Sequence, residues 1–381
     1  MEKNLIGDGY RLGILGGGQL GRMIIQSAVS YDIDIHIMDL GMDAPCTKIA
    51  STYTDGDIRD YDQVMEFGKG LDTLTVEIEN VNIQALKDLR NQGVNVYPQP
   101  EILEIIRDKG VQKQFYKDKG IPTSEFELFG ADTPTEKYIP HLPFVHKLRS
   151  GGYDGKGVSI IRSEVDFNEL FDAPSVVEEM VPFTKELSVI VARTKSGETA
   201  VYQTVECEFG SANLVEYLFS PADISEEIEK KAQALAIDVI NAFELVGILA
   251  VEMFLLENGD ILVNEVAPRP HNSGHHTIEC NITSQFEQHL RSVLNLPLGS
   301  TKMIRPGAMI NVLGSEGFNG KAYYDGLENV MAQEGAYVHL YGKENTKPNR
   351  KMGHITVALD SSESAKQKAK EIKNSLRVIS K

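Results

Sequence analysis

Val251-Glu252-Met253-Phe254-Leu255-Leu256-Glu257-Asn258-Gly259-Asp260-Ile261-Leu262-Val263-Asn264-Glu265-Val266 contains two apolar runs parted by Asn258-Gly259. Asn-Gly between such runs is the strongest short-range signal for a two-residue β-hairpin. Centred there, the turn sets Glu257 against Asp260, Leu255 against Leu262 and Glu252 against Glu265. Alternation puts Phe254 and Val263 on the face that carries both glutamates, so that face is otherwise apolar. Opposed residues have Cβ atoms about 5 Å apart. Two carboxylates at that distance repel by roughly 3 kcal/mol at an effective dielectric of ~20. A fold holds such a pair if one carboxyl keeps its proton or a cation lies between them. A hard divalent ion suits the pair best, and Mg²⁺ held by one or two carboxylates usually also carries substrate phosphates. A slip of one residue in register would part the glutamates.

The second run leads into Asn264-Glu265-Val266-Ala267-Pro268-Arg269-Pro270-His271-Asn272-Ser273-Gly274-His275-His276. Arg269 has a constrained backbone on both sides, a device for gripping a planar anion with two N–H groups. A polar loop after a strand reads the same way, because Pro and Asn are common there. The hairpin tips the balance towards an anion site.

A chain of 381 residues is too long for one core and suggests two or three domains. A formal charge of −17 and a pI near 5.0 argue against nucleic acid or an anionic membrane as the main partner. Any phosphate must then be held by local Lys, Arg, metal or helix N-termini. Cys46, Cys207 and Cys280 are scattered without CxxC spacing, which suits a reducing, cytoplasmic setting, each cysteine a small buried hydrophobe. The first nine residues do not read as a signal peptide, and no apolar run approaches a membrane span.

Arg11–Leu15 reads as a strand entering Gly16-Gly17-Gly18-Gln19-Leu20-Gly21, followed by helical spacing at Leu20, Met23, Ile24, Ser27 and Ala28. Strands at 33–38, ending at Asp39, and 71–76, followed by the acidic tip Glu77-Ile78-Glu79-Asn80, complete a parallel-sheet pattern that binds ligands at its strands' carboxyl ends. The glycines match G-x-G-x-x-G, which alone suggests an NAD-dependent enzyme. A phosphorylated substrate at the helix N-terminus accounts for the loop equally well. A turn needing glycine for its own sake is the bland alternative.

Pro98 and Pro100 mark a boundary. Short helices are predicted over 101–108 and 112–119, with Lys109 between them. The strand 143–148 carries Lys147 and enters Arg149-Ser150-Gly151-Gly152-Tyr153-Asp154-Gly155-Lys156-Gly157, with another strand at 158–162. A glycine-rich tip between two strands is no P-loop, which must open a helix. It reads instead as a flap whose amides fold over phosphates. Val176–Val181 is an apolar-acidic strand with Glu186 shortly after, and further strands follow at 187–192 and 200–205. An amphipathic helix spans 228–243, and Ser284 with Glu287 forms a capping box.

The order of these parts resembles the ATP-grasp superfamily, and within it the 5-(carboxyamino)imidazole ribonucleotide synthase family. The blocks Gly16–Gly21, Gly151–Gly157, Asn264–His275 and Arg350-Lys351-Met352-Gly353-His354 carry the resemblance across nearly the whole chain. It implies a mixed α/β and α+β architecture: an N-terminal Rossmann-like, pre-ATP-grasp domain over 1–97, an ATP-grasp domain over 98–296 and a small β-rich domain over 297–381. It implies that ATP, bicarbonate and 5-aminoimidazole ribonucleotide give the carboxyamino product through carboxyphosphate, in purine synthesis, by a homodimer with Mg²⁺. By position, Lys109, Lys147 and the flap residues Gly152, Tyr153, Asp154, Gly155, Lys156 and Gly157 would contact ATP phosphates. Glu178, Glu179, Met180 and Val181 would line the adenine pocket, with Glu186 on the ribose and Asn264 beside the nucleotide. Glu252 and Glu265 would hold Mg²⁺. Arg269, His271 and Lys351 would be catalytic, forming the bicarbonate pocket with Asn272 and Ser273. Gln19, Tyr153, Asp154 and Arg350 would face the aminoimidazole nucleotide. Lys109 departs from the family's usual Arg, and Phe209 from a His near the nucleotide.

Three strand-like runs, 308–313, 336–341 and 354–359, follow position 297, and 361–376 reads as a charged helix with a solvated face. Adjacent Arg350 and Lys351 without the resemblance would be a surface pair. A dehydrogenase leaves the flap and the glutamate pair unexplained. A formate-using relative or a nucleotide-sensing module are the other readings. The loop from Arg269 to Gly274 favours bicarbonate and a reaction.

Overall fold

The computed structural model describes residues 9–152, 157–210 and 215–381. Its first part is a parallel sheet of Arg11–Leu15 (β1), Asp34–Asp39 (β2), Thr52–Asp55 (β3), Thr73–Val76 (β4) and Asn95–Val96 (β5), in the order β3-β2-β1-β4-β5. β1 and β4 are buried along nearly their whole length, as strands covered on both faces must be. The order reverses between β1 and β4, which places a ligand crevice at their carboxyl ends. Gln19–Val29 (α1) leaves the glycine loop and buries Leu20, Met23, Ile24 and Ala28. Tyr61–Gly68 (α2) and Ile83–Asn91 (α3) complete the unit.

Pro100–Arg107 (α4) and Lys109–Lys119 (α5) come next. The Asp108 carboxylate accepts from the Gly110 and Val111 amides, so α5 begins at Lys109 and not at Gln112. Phe126–Phe129 (β6), Phe144–Leu148 (β7), Val158–Ile161 (β8) and Ser175–Glu179 (β9) form an antiparallel sheet in the order β6-β9-β7-β8.

The largest sheet collects Phe183–Arg193 (β10), Thr199–Val201 (β11), Val205–Phe209 (β12), Val215–Ser220 (β13), Gly247–Leu256 (β14), Ile261–Ala267 (β15) and Gly307–Leu313 (β16). Beyond Gly320–Asp325 (β17), it adds Ala336–Leu340 (β18) and, past Asn345–Thr346 (β19), Lys351–Ala358 (β20). Its path is β15-β14-β10-β12-β13-β16-β20-β18, with β11 on β10. The sheet therefore runs without a break across position 297. β17, β19 and Arg377–Ser380 (β21) pair separately.

Glu226–Phe243 (α6), capped by Ser225, lays Ala232, Ala236, Val239 and Ile240 on Leu187, Val189, Val251 and Met253 of β10 and β14. Thr277–Cys280 (α7) leads to Gln285–Val293 (α8). Ser284 caps α8, but the Glu287 side chain turns to Arg291 and Tyr31 instead of closing a capping box. Leu327–Met331 (α9) is short. Ser362–Lys373 (α10) has the expected charged, solvated face, and on its other side buries Ala365, Ala369 and Ile372 against β16 and β20. The spacing of these small residues gave little apolar signal among the charges. Among the described residues no helix is long and apolar enough to cross a membrane.

The hairpin differs from the expected one in two ways that cancel. Leu256 donates to the Asp260 carbonyl and Gly259 to the Leu256 carbonyl, so the loop has three residues, 257–259, with Gly259 at φ +82°. A three-residue loop closed by a left-handed residue is the next most common hairpin after the two-residue form. Leu255 thus faces Ile261, not Leu262, and Glu257 lies in the loop instead of facing Asp260. A bulge at Asn264 then inserts one extra residue and restores Glu252 opposite Glu265. Val263 moves to the opposite face, fully buried beside Met253 in the α6 core.

Candidate active site

The row across the sheet is Ser188 on β10, Glu252 on β14 and Glu265 on β15. Lys109, projected from the start of α5, ion-pairs with Glu265. That lysine holds the Glu265 carboxyl well below its usual range against the effect of burial. Burial followed by repulsion from Glu265 pushes Glu252 up, against the weaker pull of Lys109 and Lys351. Two opposed carboxylates are a donor set that suits a divalent cation.

Lys147, on β7, donates to Asn264 Oδ1 at 2.9 Å and lies 3.0 Å from Glu178 Oε1. The bulge is what brings Asn264 within this reach. Glu178 also meets Lys113 Nζ at 2.9 Å and the Ser124 hydroxyl at 2.8 Å. Burial would raise Glu178, but Lys147 and Lys113 together outweigh it and hold the carboxyl at about 2. Glu179 and Met180 lie exposed at the end of β9, next to Val181, while burial pushes Glu186 on β10 up to about 7. Gly157 adopts φ +81° and accepts from the Leu148 amide, closing the flap's base near Gly152. Tyr153, Asp154, Gly155 and Lys156 lie outside the described residues.

The loop after β15 is tied down from several sides. Glu79, in the turn that follows β4, ion-pairs with Arg269 Nε at 2.9 Å. Gln285 on α8 receives the His271 amide at 2.9 Å and donates to the His271 carbonyl at 2.7 Å. Asn272 exchanges two hydrogen bonds, both 2.9 Å, with buried Asn311 of β16. His271 Nε2 stands 3.6 Å from Glu252 Oε1. Lys343 donates to Gln19 Oε1 at 3.0 Å and to the Lys351 carbonyl at 2.7 Å, joining the first strand-helix unit to β20. The Lys351 charge acts on Glu252 and His275. Arg350 instead reaches the Asn345 carbonyl at 2.5 Å.

Two amides of the glycine loop and the start of α1 are taken by carboxylates. Asp39 Oδ2 accepts from Gly17 at 2.8 Å and Glu77 Oε1 from Leu20 at 3.1 Å. A Cβ at Gly18 would stand 2.5 Å from Glu77 Oε1, and one at Gly16 2.8 Å from Oε2. The glycines thus make room for a carboxylate, which burial raises to about 7 against the pull of Arg269. A carboxylate placed there can accept from a hydroxyl, so the loop offers a sugar a partner as well as offering amides to a phosphate.

Lys113, Lys343 and Asn311 also belong to this cleft, and so do Glu77 and Glu79 of the acidic tip, to which the sequence reading gives no particular role. The acidic tip 77–80, at the carboxyl end of a parallel strand, was a usable signal. Lys113, Lys343 and Asn311 carry no local motif.

Three family models match in series: the ribonucleotide synthetase preATP-grasp domain over 10–107, the ATP-grasp domain over 114–286 and the phosphoribosylaminoimidazole carboxylase C-terminal domain over 307–368. Fold and site together define an ATP-grasp ligase. The N5-carboxyaminoimidazole ribonucleotide synthase of Bacillus subtilis is 37% identical, with 93% of each chain covered. The crystal structure of the Thermotoga maritima synthetase is 42% identical, with a TM-score of 0.91 over 98% of this chain and 100% of that one. An Aspergillus clavatus synthase, solved with ADP and 5-aminoimidazole ribonucleotide, is 33% identical, with a TM-score of 0.87 over 96% and 98% of the two chains. The phosphoribosylaminoimidazole carboxylase of Ogataea methanolica is 39% identical over 93% of this chain, which spans 67% of that enzyme's length. The chain belongs to the N5-carboxyaminoimidazole ribonucleotide synthase family, whose ATP-dependent carboxylation serves purine biosynthesis.

Proposed function

We propose that this chain phosphorylates bicarbonate with ATP and passes the carboxyl group to the amine of 5-aminoimidazole ribonucleotide. The single observation that carries this reading is the facing of Glu252 and Glu265 beside the loop Arg269–Ser273. Phosphoryl transfer is carried out mainly by positioning and by neutralising charge. Lys109 and Lys147 would contact the ATP phosphates, with Glu178–Val181 lining the adenine pocket and Glu186 on the ribose. Glu252 and Glu265 would hold Mg²⁺, which supplies charge neutralisation at the transferring phosphoryl group.

Arg269, held along one edge by Glu79, is an anion-binding group next to the metal carboxylates, as a bicarbonate pocket with His271, Asn272, Ser273 and Lys351 requires. Glu77, Gln19 and Lys343 stand where the aminoimidazole nucleotide would lie, the carboxylate towards its ribose and the lysine towards its phosphate. Tyr153, Asp154 and Arg350 would face the aminoimidazole nucleotide, and Gly152–Gly157 would form the flap over ATP. Carboxyphosphate as the intermediate, the homodimer, a cytoplasmic location and the division at 97 and 296 belong to the same proposal.

The test is ADP release by the purified chain with Mg²⁺. Release that needs both bicarbonate and 5-aminoimidazole ribonucleotide is expected. Release supported by formate in place of bicarbonate, or independent of the nucleotide, would overturn the reading.

A further inference from the structure

Ser188 lies in the middle of β10, 1% exposed, with its hydroxyl on the face that carries Glu252. It donates to Ser273 Oγ at 2.8 Å, and Ser273 Oγ lies 2.9 Å from His271 Nδ1. The direction of the second bond follows from two constraints. The Ser273 backbone amide, which can only donate, also points at His271 Nδ1, at 3.4 Å. Ser273 Oγ already accepts from Ser188, which leaves its own hydrogen for a further acceptor. Nδ1 is therefore an acceptor, and the ring hydrogen is assigned to Nε2 from this network. Nε2 is the nitrogen on the Glu252 side, 3.6 Å from its carboxylate.

We propose that Ser188 is a positioning residue for carboxylation: through Ser273 it fixes the His271 tautomer so that Nε2–H, not a lone pair, faces the reacting anion. A donor at that point can bind an oxygen of the bicarbonate anion, and the negative charge that develops on that oxygen when the amine adds to the carboxyl carbon. An acceptor there would repel it. Outer groups that set which imidazole nitrogen carries hydrogen are a known means of orienting a site. The proposal rests on the bicarbonate pocket set out above, but the tautomer can be read without turnover.

Ser188→Ala removes only the hydroxyl, and Ser188→Cys, of similar size, replaces it should alanine not fold. In ¹⁵N-histidine spectra of the full chain, with His271 assigned by loss in His271→Asn, Nδ1 is expected as the bare nitrogen and Nε2 as the protonated one. In Ser188→Ala the two signals should move towards each other as the tautomers mix. kcat should fall about ten-fold, matching the net worth of about one hydrogen bond. KM for bicarbonate should rise and KM for ATP should stay unchanged. A protonated Nδ1 in the parent chain, His271 signals unmoved by Ser188→Ala, or unchanged kcat and bicarbonate KM in that variant would each overturn the proposal. If the parent chain shows no nucleotide-dependent ADP release but the spectra behave as stated, the functional reading fails while the hydrogen-bond relay stands.

Discussion

Glu265 shows how much one position can carry. It is fixed by Lys109 from α5, opposed by Glu252 from β14 and preceded by Asn264, which engages Lys147 from β7. Glu265→Gln should lower kcat at least about a hundred-fold, since loss of even an outer partner of a metal ligand costs 10–100-fold. It should also raise the Mg²⁺ concentration needed for half-maximal ADP release; activity close to that of the parent would mean that Glu265 holds no metal. Residues of this kind were legible because each lies inside a local pattern: a strand end, a glycine-rich tip, a Pro-flanked arginine. Lys343, Asn311 and Ser188 were not, because their partners Gln19, Asn272 and Ser273 lie 324, 39 and 85 residues away. No periodicity encodes such a meeting.

At the scale of the element, the hairpin was read correctly where it matters and incorrectly on the way there. Asn-Gly signalled the turn, but Gly259 closes a three-residue loop, and only the bulge at Asn264 brings the glutamates back into opposition. A bulge has no reliable single-sequence signal, although Asn264 between Val263 and Glu265 breaks the alternation that a straight strand would keep. Gly259→Ala should destabilise the chain by about 1–2 kcal/mol, the cost of a side chain in left-handed backbone, seen as a lower urea midpoint. Nothing but Ile228 Cδ1 comes within 4 Å of the added Cβ, so ADP release should stay nearly unchanged. A midpoint that did not move would mean that the turn relaxes to another form. α10 teaches the converse lesson: a helix dense in Lys and Glu still buries a stripe of Ala and Ile.

At the scale of the whole molecule, the parallel sheet, α8 and the end of β18 share one core, in which Leu12, Ile24 and Ile37 meet Phe286, Leu290 and Tyr341. That joint core builds the cleft between the segments, and it also buries many titratable groups. His276, His289 and His146 are lowered to about 4 by burial, and His275 and His354 well below their usual value. As pH falls from about 6.5 towards 4, the unfolded chain takes up protons that these imidazoles refuse, so stability falls. Glu77 and Glu186, raised to about 7, and Glu252, raised as well, work the other way. Above about pH 4.5 the unfolded carboxyls are ionised while the folded ones hold protons, so their contribution falls as pH rises to about 7 and beyond. On the acid side the imidazoles outweigh the three carboxyls, and between about 6.5 and 8 the carboxyls outweigh the imidazoles. Without metal, the urea midpoint should therefore peak near pH 6.5, and Mg²⁺ should lift its alkaline side; a midpoint flat from pH 5 to 8 would contradict this balance. The fold class was legible from strand and helix order, whereas the shared core and its charges arise only once the segments meet. The central claim, that ATP activates bicarbonate in this cleft, is tested most directly by turnover with ¹⁸O-bicarbonate, 5-aminoimidazole ribonucleotide and Mg²⁺. One ¹⁸O should appear in each phosphate released, and phosphate free of the label would contradict the account.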